Sequence, residues 1–188
     1  LAPASITWSG LGANNNWSTA ANWVGGVAPS ASDTAIFDGS STKSCIVDTG
    51  FAGTISGLEI NNGYTGTVIL GENLAVTGVF IEAAGTYNAN GCTTTVTGLT
   101  TISGGTYQAS TAAQTLSGGL AVSGGTFSGS SGSVTTGGVM LSAGTLTAPS
   151  GPFDVSGNWA KTGGTFAPGT NTVTFDGVGT QTLNSGGA

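Results

Sequence analysis

Apolar and small polar residues alternate in short runs along most of this chain, as in Thr95-Val96-Thr97, Leu99-Thr100-Thr101-Ile102 and Thr106-Tyr107-Gln108-Ala109. Each run is only three to five residues long and closes on Gly or Asn-Gly. A period of two puts apolar side chains on one side of a strand, and Gly and Asn-Gly mark tight turns. Thr, Val and aromatics favour strands over helices. The pattern therefore predicts three short strands per repeat, joined by tight corners at which Gly supplies positive φ.

The runs also keep a longer beat. Gly85-Thr86-Tyr87, Gly105-Thr106-Tyr107, Gly125-Thr126-Phe127, Gly144-Thr145-Leu146 and Gly164-Thr165-Phe166 follow one another at spacings of 20, 20, 19 and 20 residues, with Gly66-Thr67-Val68 one period earlier. A second phrase keeps the same beat half a period later, at Val76-Thr77-Gly78, Val96-Thr97-Gly98, Leu116-Ser117-Gly118, Val155-Ser156-Gly157 and Phe175-Asp176-Gly177. Between the third and fourth of these the coil is shortened, with Val134-Thr135-Thr136-Gly137 in its place. A fixed period of this size signals a stacked array. Helical repeats and leucine-rich repeats need residue patterns that are absent. The expected fold is all-β: a right-handed parallel β-solenoid with roughly 20-residue coils. Its inward positions are apolar ladders, and about six coils at roughly 4.8 Å each give a rod of roughly 25–30 Å.

Residues 1–40 break the beat and carry Trp8, Trp17, Trp23 and Phe37. A solenoid end exposes open strand edges and must be covered. Large aromatics suit a lid, so 1–40 reads as an N-terminal cap and 41–188 as the repeats of one continuous domain. The alternative use of these tryptophans is an exposed platform on which sugars stack. The final residues still read as coil. Either the natural chain continues or this end, with Phe166, Val173, Phe175 and Leu183, docks on another subunit. Head-to-tail docking that does not close builds a fibre.

Composition narrows the function classes. Of 188 residues only ten are charged, two basic (Lys43, Lys161) and eight acidic, and there is no His. Apolar content of 38% and low net charge separate the chain from disordered sequences. The acidic balance argues against nucleic acid, which needs a basic face, and against anionic membrane surfaces. No apolar run reaches membrane-spanning length. The scattered Glu59, Glu72 and Glu82 read as solvated. Cys45 and Cys92 lie 47 residues apart, a little over two coils. Two coils in one column are roughly 9–10 Å apart, too far for a bridge, so a disulfide needs different corners. Free thiols, an intrachain bridge and an intermolecular bridge all stay open.

Both ends carry a resemblance. Trp8-x-Gly10, Trp17, Asn22-Trp23, Pro29 and Asp33-x-Ala35-x-Phe37-Asp38 resemble the start of β-helical passenger regions in large bacterial surface proteins of the autotransporter-like family. The stretch from Gly164 to Gly177, followed by Gly179-Thr180-Gln181-Thr182-Leu183, is similar to a repeat common in such secreted proteins. The resemblance implies a β-solenoid at the cell surface or outside the cell that adheres, forms structural fibres or acts as a spacer. No membrane barrel follows here, unlike in a full autotransporter.

Catalytic chemistry has few carriers. Without His there is no imidazole base or ligand, and nucleophile triads fail. Asp154 and Asp176 read as turn residues and not as a facing pair. No calcium-binding cluster of Asp, Asn and Gly is present. The expectation is no enzyme, no metal and no cofactor. Thr67, Thr86, Thr106, Thr126, Thr145 and Thr165 recur once per coil, and Thr-x-Thr pairs resemble the arrays of ice-binding solenoids, although the pairs do not share one column. The expected role is therefore an extracellular structural or adhesive solenoid, a head-to-tail fibre unit or a stalk segment, with itself or neighbouring repeats as partner. The second class is a glycan- or ice-binding module using Trp or Thr arrays.

Overall fold

A computed structural model describes residues 3–186. The short alternating runs are strands of three or four residues, and they stack in parallel as about eight turns of a β-solenoid with coils of about 20 residues. At roughly 4.8 Å per turn the stack is about 38 Å long. The expected strand-and-corner pattern is thus the observed one.

Each regular coil has three faces. The first face holds the strands Thr34–Phe37, Gly57–Ile60, Phe80–Glu82 and Thr100–Ile102, and continues through 120–122, 139–141 and Trp159–Lys161 to Leu183–Asn184. The second face runs from Cys45–Val47 through Thr67–Leu70, Thr86–Asn88 and Thr106–Gln108 to 126–128, 145–147 and Thr165–Ala167. The third face runs from Thr54–Ile55 through Leu74–Val76, Thr94–Val96, Gln114–Leu116, Val134–Thr136 and Phe153–Val155 to Val173–Phe175. In two coils the strand runs on around the corner between the first and second faces, as Leu120–Ser128 and Val139–Thr147.

Period-two alternation fills the interior with ladders. On the second face Val68, Tyr87, Tyr107, Phe127 and Leu146 are buried one above another, with the Tyr87–Tyr107 and Tyr107–Phe127 ring centroids 4.8 and 5.0 Å apart. On the third face Ile55, Val76, Val96, Leu116 and Val155 form a second ladder, with the buried Thr136 as the rung between Leu116 and Val155. Stacking of like side chains removes apolar surface from water at each added turn, which is the main stabilising contribution.

The corner glycines meet two demands. Between the first and second faces, Gly85, Gly105, Gly144 and Gly164 have φ of +62° to +73°, a region that only glycine enters cheaply. Between the third and first faces, Gly98, Gly118, Gly137, Gly157 and Gly177 are not left-handed. There a Cβ would run into the backbone of the coil below, which approaches too closely for any side chain. The coil below approaches closely at the first of these corners too, since a Cβ on Gly105 or Gly144 would also meet backbone oxygen, so positive φ is an added demand there. At the second corner Gly119 alone of these coils takes a positive φ. The shortened coil loses its residue at this second corner: Leu116 pairs Thr136 at a separation of 20, whereas Leu120 pairs Val139 at 19. The strands keep register because a corner can shorten, while a one-residue slip within a strand would turn its apolar side chains outward.

Candidate functional site

With flanks built of Ser, Thr and Gly, the chemistry that distinguishes this rod gathers at its ends. At the N-terminal end, the strand Ser5–Thr7 is added in parallel to Thr34–Phe37, so this part of the segment 1–40 is already a rung of the first face. The chain then folds back. Trp8 and Trp23 form an antiparallel bridge, and the Val24 N–H donates to the Thr7 carbonyl. That return occupies part of the outer edge of the first strand with antiparallel bonds that a further parallel coil cannot use.

Under this return the expected aromatics come together. Trp8, Trp17, Trp23 and Phe37 are all buried, with Trp17–Trp23 centroids 4.7 Å apart and Trp8–Trp23 centroids 5.1 Å apart. The Trp8 indole N–H donates to the Lys43 carbonyl (3.0 Å) and that of Trp23 to the Trp17 carbonyl (2.6 Å). Phe51 and Tyr64, which sequence reasoning left out, complete the cluster against Trp17 and Phe37. Both stand in turns, Phe51 after Cys45–Val47 and Tyr64 before Thr67–Leu70, outside the alternating runs that mark the core. Because the tryptophan rings are buried, they present no face on which a sugar could stack. The exposed apolar residues of this end are instead Leu11, Val24 and Val27.

The C-terminal end is built in the opposite sense. The strands Thr165–Ala167, Val173–Phe175 and Leu183–Asn184 each have a partner on one side only among the described residues. All four residues expected here, Phe166, Val173, Phe175 and Leu183, line one open pocket of about 400 Å³, together with Trp159, Pro168 and Lys161. Trp159 forms its floor, edge-on to Phe166 at 4.8 Å and to Phe175 at 6.4 Å. Phe175 is 38% exposed and Leu183 65%. Trp159 and Lys161 were missed from the sequence. Trp159 was findable as the one tryptophan inside the repeats, at the ladder position of Phe80, Leu120 and Val139. Lys161 shares its side of the strand by alternation and brings the only cation of this end into the pocket.

Comparison with protein-family models, with curated proteins and with solved structures finds no match.

The remaining candidates are dispersed. The threonines Thr67, Thr86, Thr106, Thr126, Thr145 and Thr165 do stand in one unbroken column on the outside of the second face. A further outward column on the third face holds Thr95, Thr115 and Thr135 and is then interrupted by Asp154. Asp154 is thus a strand residue and not the turn residue expected, and Asp176 lies two positions beyond its neighbour Thr174, in another column. Cys45 is buried at the start of the second face and Cys92 half-buried at a corner two coils on, and both thiols are free. Burial pushes the Cys45 thiol well up and the Cys92 thiol up by less.

Glu82 corrects the expectation that the acidic residues are solvated. It sits inside the first face, in the ladder of Phe37, Ile60, Ile102, Val122 and Leu141, and is fully buried. Its Oε1 accepts the Tyr87 N–H (3.0 Å) and the Thr106 N–H (3.1 Å), while Oε2 has no partner. Burial pushes this carboxyl up to about 9, against the downward pull of those two bonds. It is therefore a neutral carboxylic acid at pH 7, facing aromatic and aliphatic side chains. Its signal was present in the alternation: Glu82 shares its side of the strand with Phe80 and stands one and two repeats before Ile102 and Val122, whereas Glu59 lies on the opposite side, between Leu58 and Ile60.

Proposed function

We propose that this chain is an extracellular structural or adhesive β-solenoid, a rod that serves as a stalk segment or fibre unit and makes its joint at the C-terminal face. The observation that carries the reading is the contrast between the ends. One buries its aromatics under a returning segment, and the other leaves Trp159, Phe166, Phe175 and Leu183 around an open apolar pocket. Exposed apolar patches of this kind mark surfaces that are covered in use. A setting at the cell surface, which the resemblance of both ends to autotransporter-like bacterial proteins suggests, belongs to the same proposal, as does the absence of catalytic work.

The test is the state of association of the purified chain by light scattering and negative-stain electron microscopy, before and after Leu183→Asp and Phe175→Asp. Concentration-dependent association that these substitutions abolish supports the reading. A wild-type chain that stays single at all concentrations removes the fibre unit and leaves the stalk segment.

One observation favours a second reading. The six-rung threonine column presents evenly spaced hydroxyl and methyl groups along the rod, as a binding module for ice or another periodic surface would. Inhibition of ice recrystallisation by the wild-type chain, lost on Thr106→Tyr, would support it. Inactivity of the wild-type chain would dismiss it.

A further inference from the structure

We infer that two copies of this chain pack side by side and antiparallel through the outer surface of the first face. Their two-fold axis lies in the plane of contact, perpendicular to the rods and level with Gly119 and Ala121. This flank is separate from the proposed end joint. It runs along the rod, so coils added at either end would lengthen it and not cover it.

The first face differs from the other two on its outside. Outward columns of the second and third faces are mostly Thr, Ser, Asn and Gln. Alternation on the first face instead turns Ile81, Ala121, Met140 and Ala160 outward, with Thr101 as the polar rung among them. Beside this column, at the corner before each strand, stand Val79, Leu99, Gly119, Gly138 and Asn158. Val79 and Leu99 are each 44% exposed, and Met140 is 57% exposed. The two glycines leave a groove of about 540 Å³ bounded by Leu99, Met140 and Asn158. Exposed Ser103, Ser123 and Ser142 border the stripe on one side and Thr97 and Ser117 on the other. An apolar centre within a polar rim is the anatomy of a protein interface.

The order of large and small side chains selects a second copy as the occupant. In the corner column the large residues, Val79 and Leu99, come first and the glycines follow. The antiparallel axis reverses one copy and sets each coil opposite its counterpart beyond the axis. Leu99 then enters the groove over Gly138, Ile81 meets Ala160, and Met140 meets Thr101. Each contact is made twice, as an isologous joint requires. The small Gly119 and Ala121 face their own copies at the axis. A parallel pair would set each coil against itself and leave the groove over Gly138 empty. Moving the axis by one coil sets Met140 against Ile81, or Leu99 against Asn158. Charge agrees with this partner. The one charged residue of this face between Val79 and Ala160, Glu82, is buried, so two chains of net charge -6 meet where neither presents a charge. About seven coils take part, roughly 34 Å by 20 Å. That is about 700 Å² a side, close to the roughly 800 Å² of a standard interface.

The experiment is sedimentation equilibrium with negative-stain electron microscopy on the full chain and on Leu99→Asp, Met140→Asp and Leu183→Asp. The expected wild-type species has twice the chain mass and appears as a rod of doubled width and unchanged length. Leu99→Asp and Met140→Asp each weaken this pairing at least tenfold with an unchanged circular dichroism spectrum, whereas Leu183→Asp leaves it intact. In a Cys92→Ser chain, Ala121→Cys treated with a short bis-maleimide links two copies, and Thr115→Cys on the third face does not. Single rods at every concentration would overturn the flank joint. Lengthened rods of single width, lost on Leu183→Asp, would assign association to the end face and overturn the flank joint likewise. Paired rods that survive both flank substitutions would place the contact elsewhere, and paired rods without a link at residue 121 would overturn the axis.

Discussion

Replacing Glu82 by Gln tests the interior of the solenoid through its pH dependence. Gln keeps an acceptor for the Tyr87 and Thr106 N–H groups and matches the neutral carboxylic acid in shape, but it cannot ionise. The carboxyl titrates at about 9 in the folded chain, against 4.5 for the free group. The native state therefore holds a proton that the unfolded state releases, and stability falls as pH rises. The contribution is fully present below about pH 4.5, and it is lost progressively up to about pH 9, where the folded group ionises too. Each pH unit in that window costs the wild type about 1.4 kcal/mol. Relative to the Gln variant this amounts to about 3 kcal/mol at pH 7 and about 6 kcal/mol above pH 9. The assay is urea unfolding followed by circular dichroism at pH 4, 6, 8 and 9.5. The stability difference between the two proteins should be constant below pH 4.5 and then grow in favour of Gln. Parallel stability curves across the whole range would refute the buried neutral carboxyl.

Three further outcomes follow from packing. Gly118→Ala sets a methyl group against the Gly98 carbonyl and Leu99 backbone and should cost about 2–3 kcal/mol in urea unfolding, whereas Gly169→Ala, left-handed but with open space around it, should cost only about 1–2; equal losses would reject backbone contact as the reason for the corner glycines. Trp23→Ala empties the N-terminal aromatic cluster and removes the N–H that binds the Trp17 carbonyl, with an expected loss of about 3–5 kcal/mol read from the same transition. A thiol reagent at pH 8 should modify Cys92 in the native chain and reach Cys45 only on unfolding, since Cys45 is fully buried; labelling of both at the same rate would place Cys45 elsewhere.

How far the chain can be read before it is folded depends on whether a signal is local. The period of 20, the strand-and-corner rhythm and the inward Val, Tyr and Phe positions were all legible, because alternation and turn chemistry act within a few residues and the repeat copies them. Register on the second face followed too, from Thr67 to Thr165, since each coil must place its apolar residues over those of the last. The four residues expected at the C-terminal end were also brought together.

Other features depend on what approaches from a different coil. Gly is needed at both corners because the backbone of the coil below lies a few ångströms away, a demand that no local turn signal carries. Alternation sets Glu82 on the inward side with Phe80 and Glu59 on the outward side, but the N–H groups that Glu82 accepts come from Tyr87 on another face and from Thr106 in the next coil. Phe51 and Tyr64 join the tryptophan cluster through contacts with residues 17 and 37, and the buried tryptophans lose the exposed faces that a sugar platform would use. Sequence determined the repeating unit, because its signals are short-ranged and repeated. Tertiary structure decided where the tryptophans are covered and what surrounds the buried carboxyl, because burial and orientation arise only when coils are laid one on another.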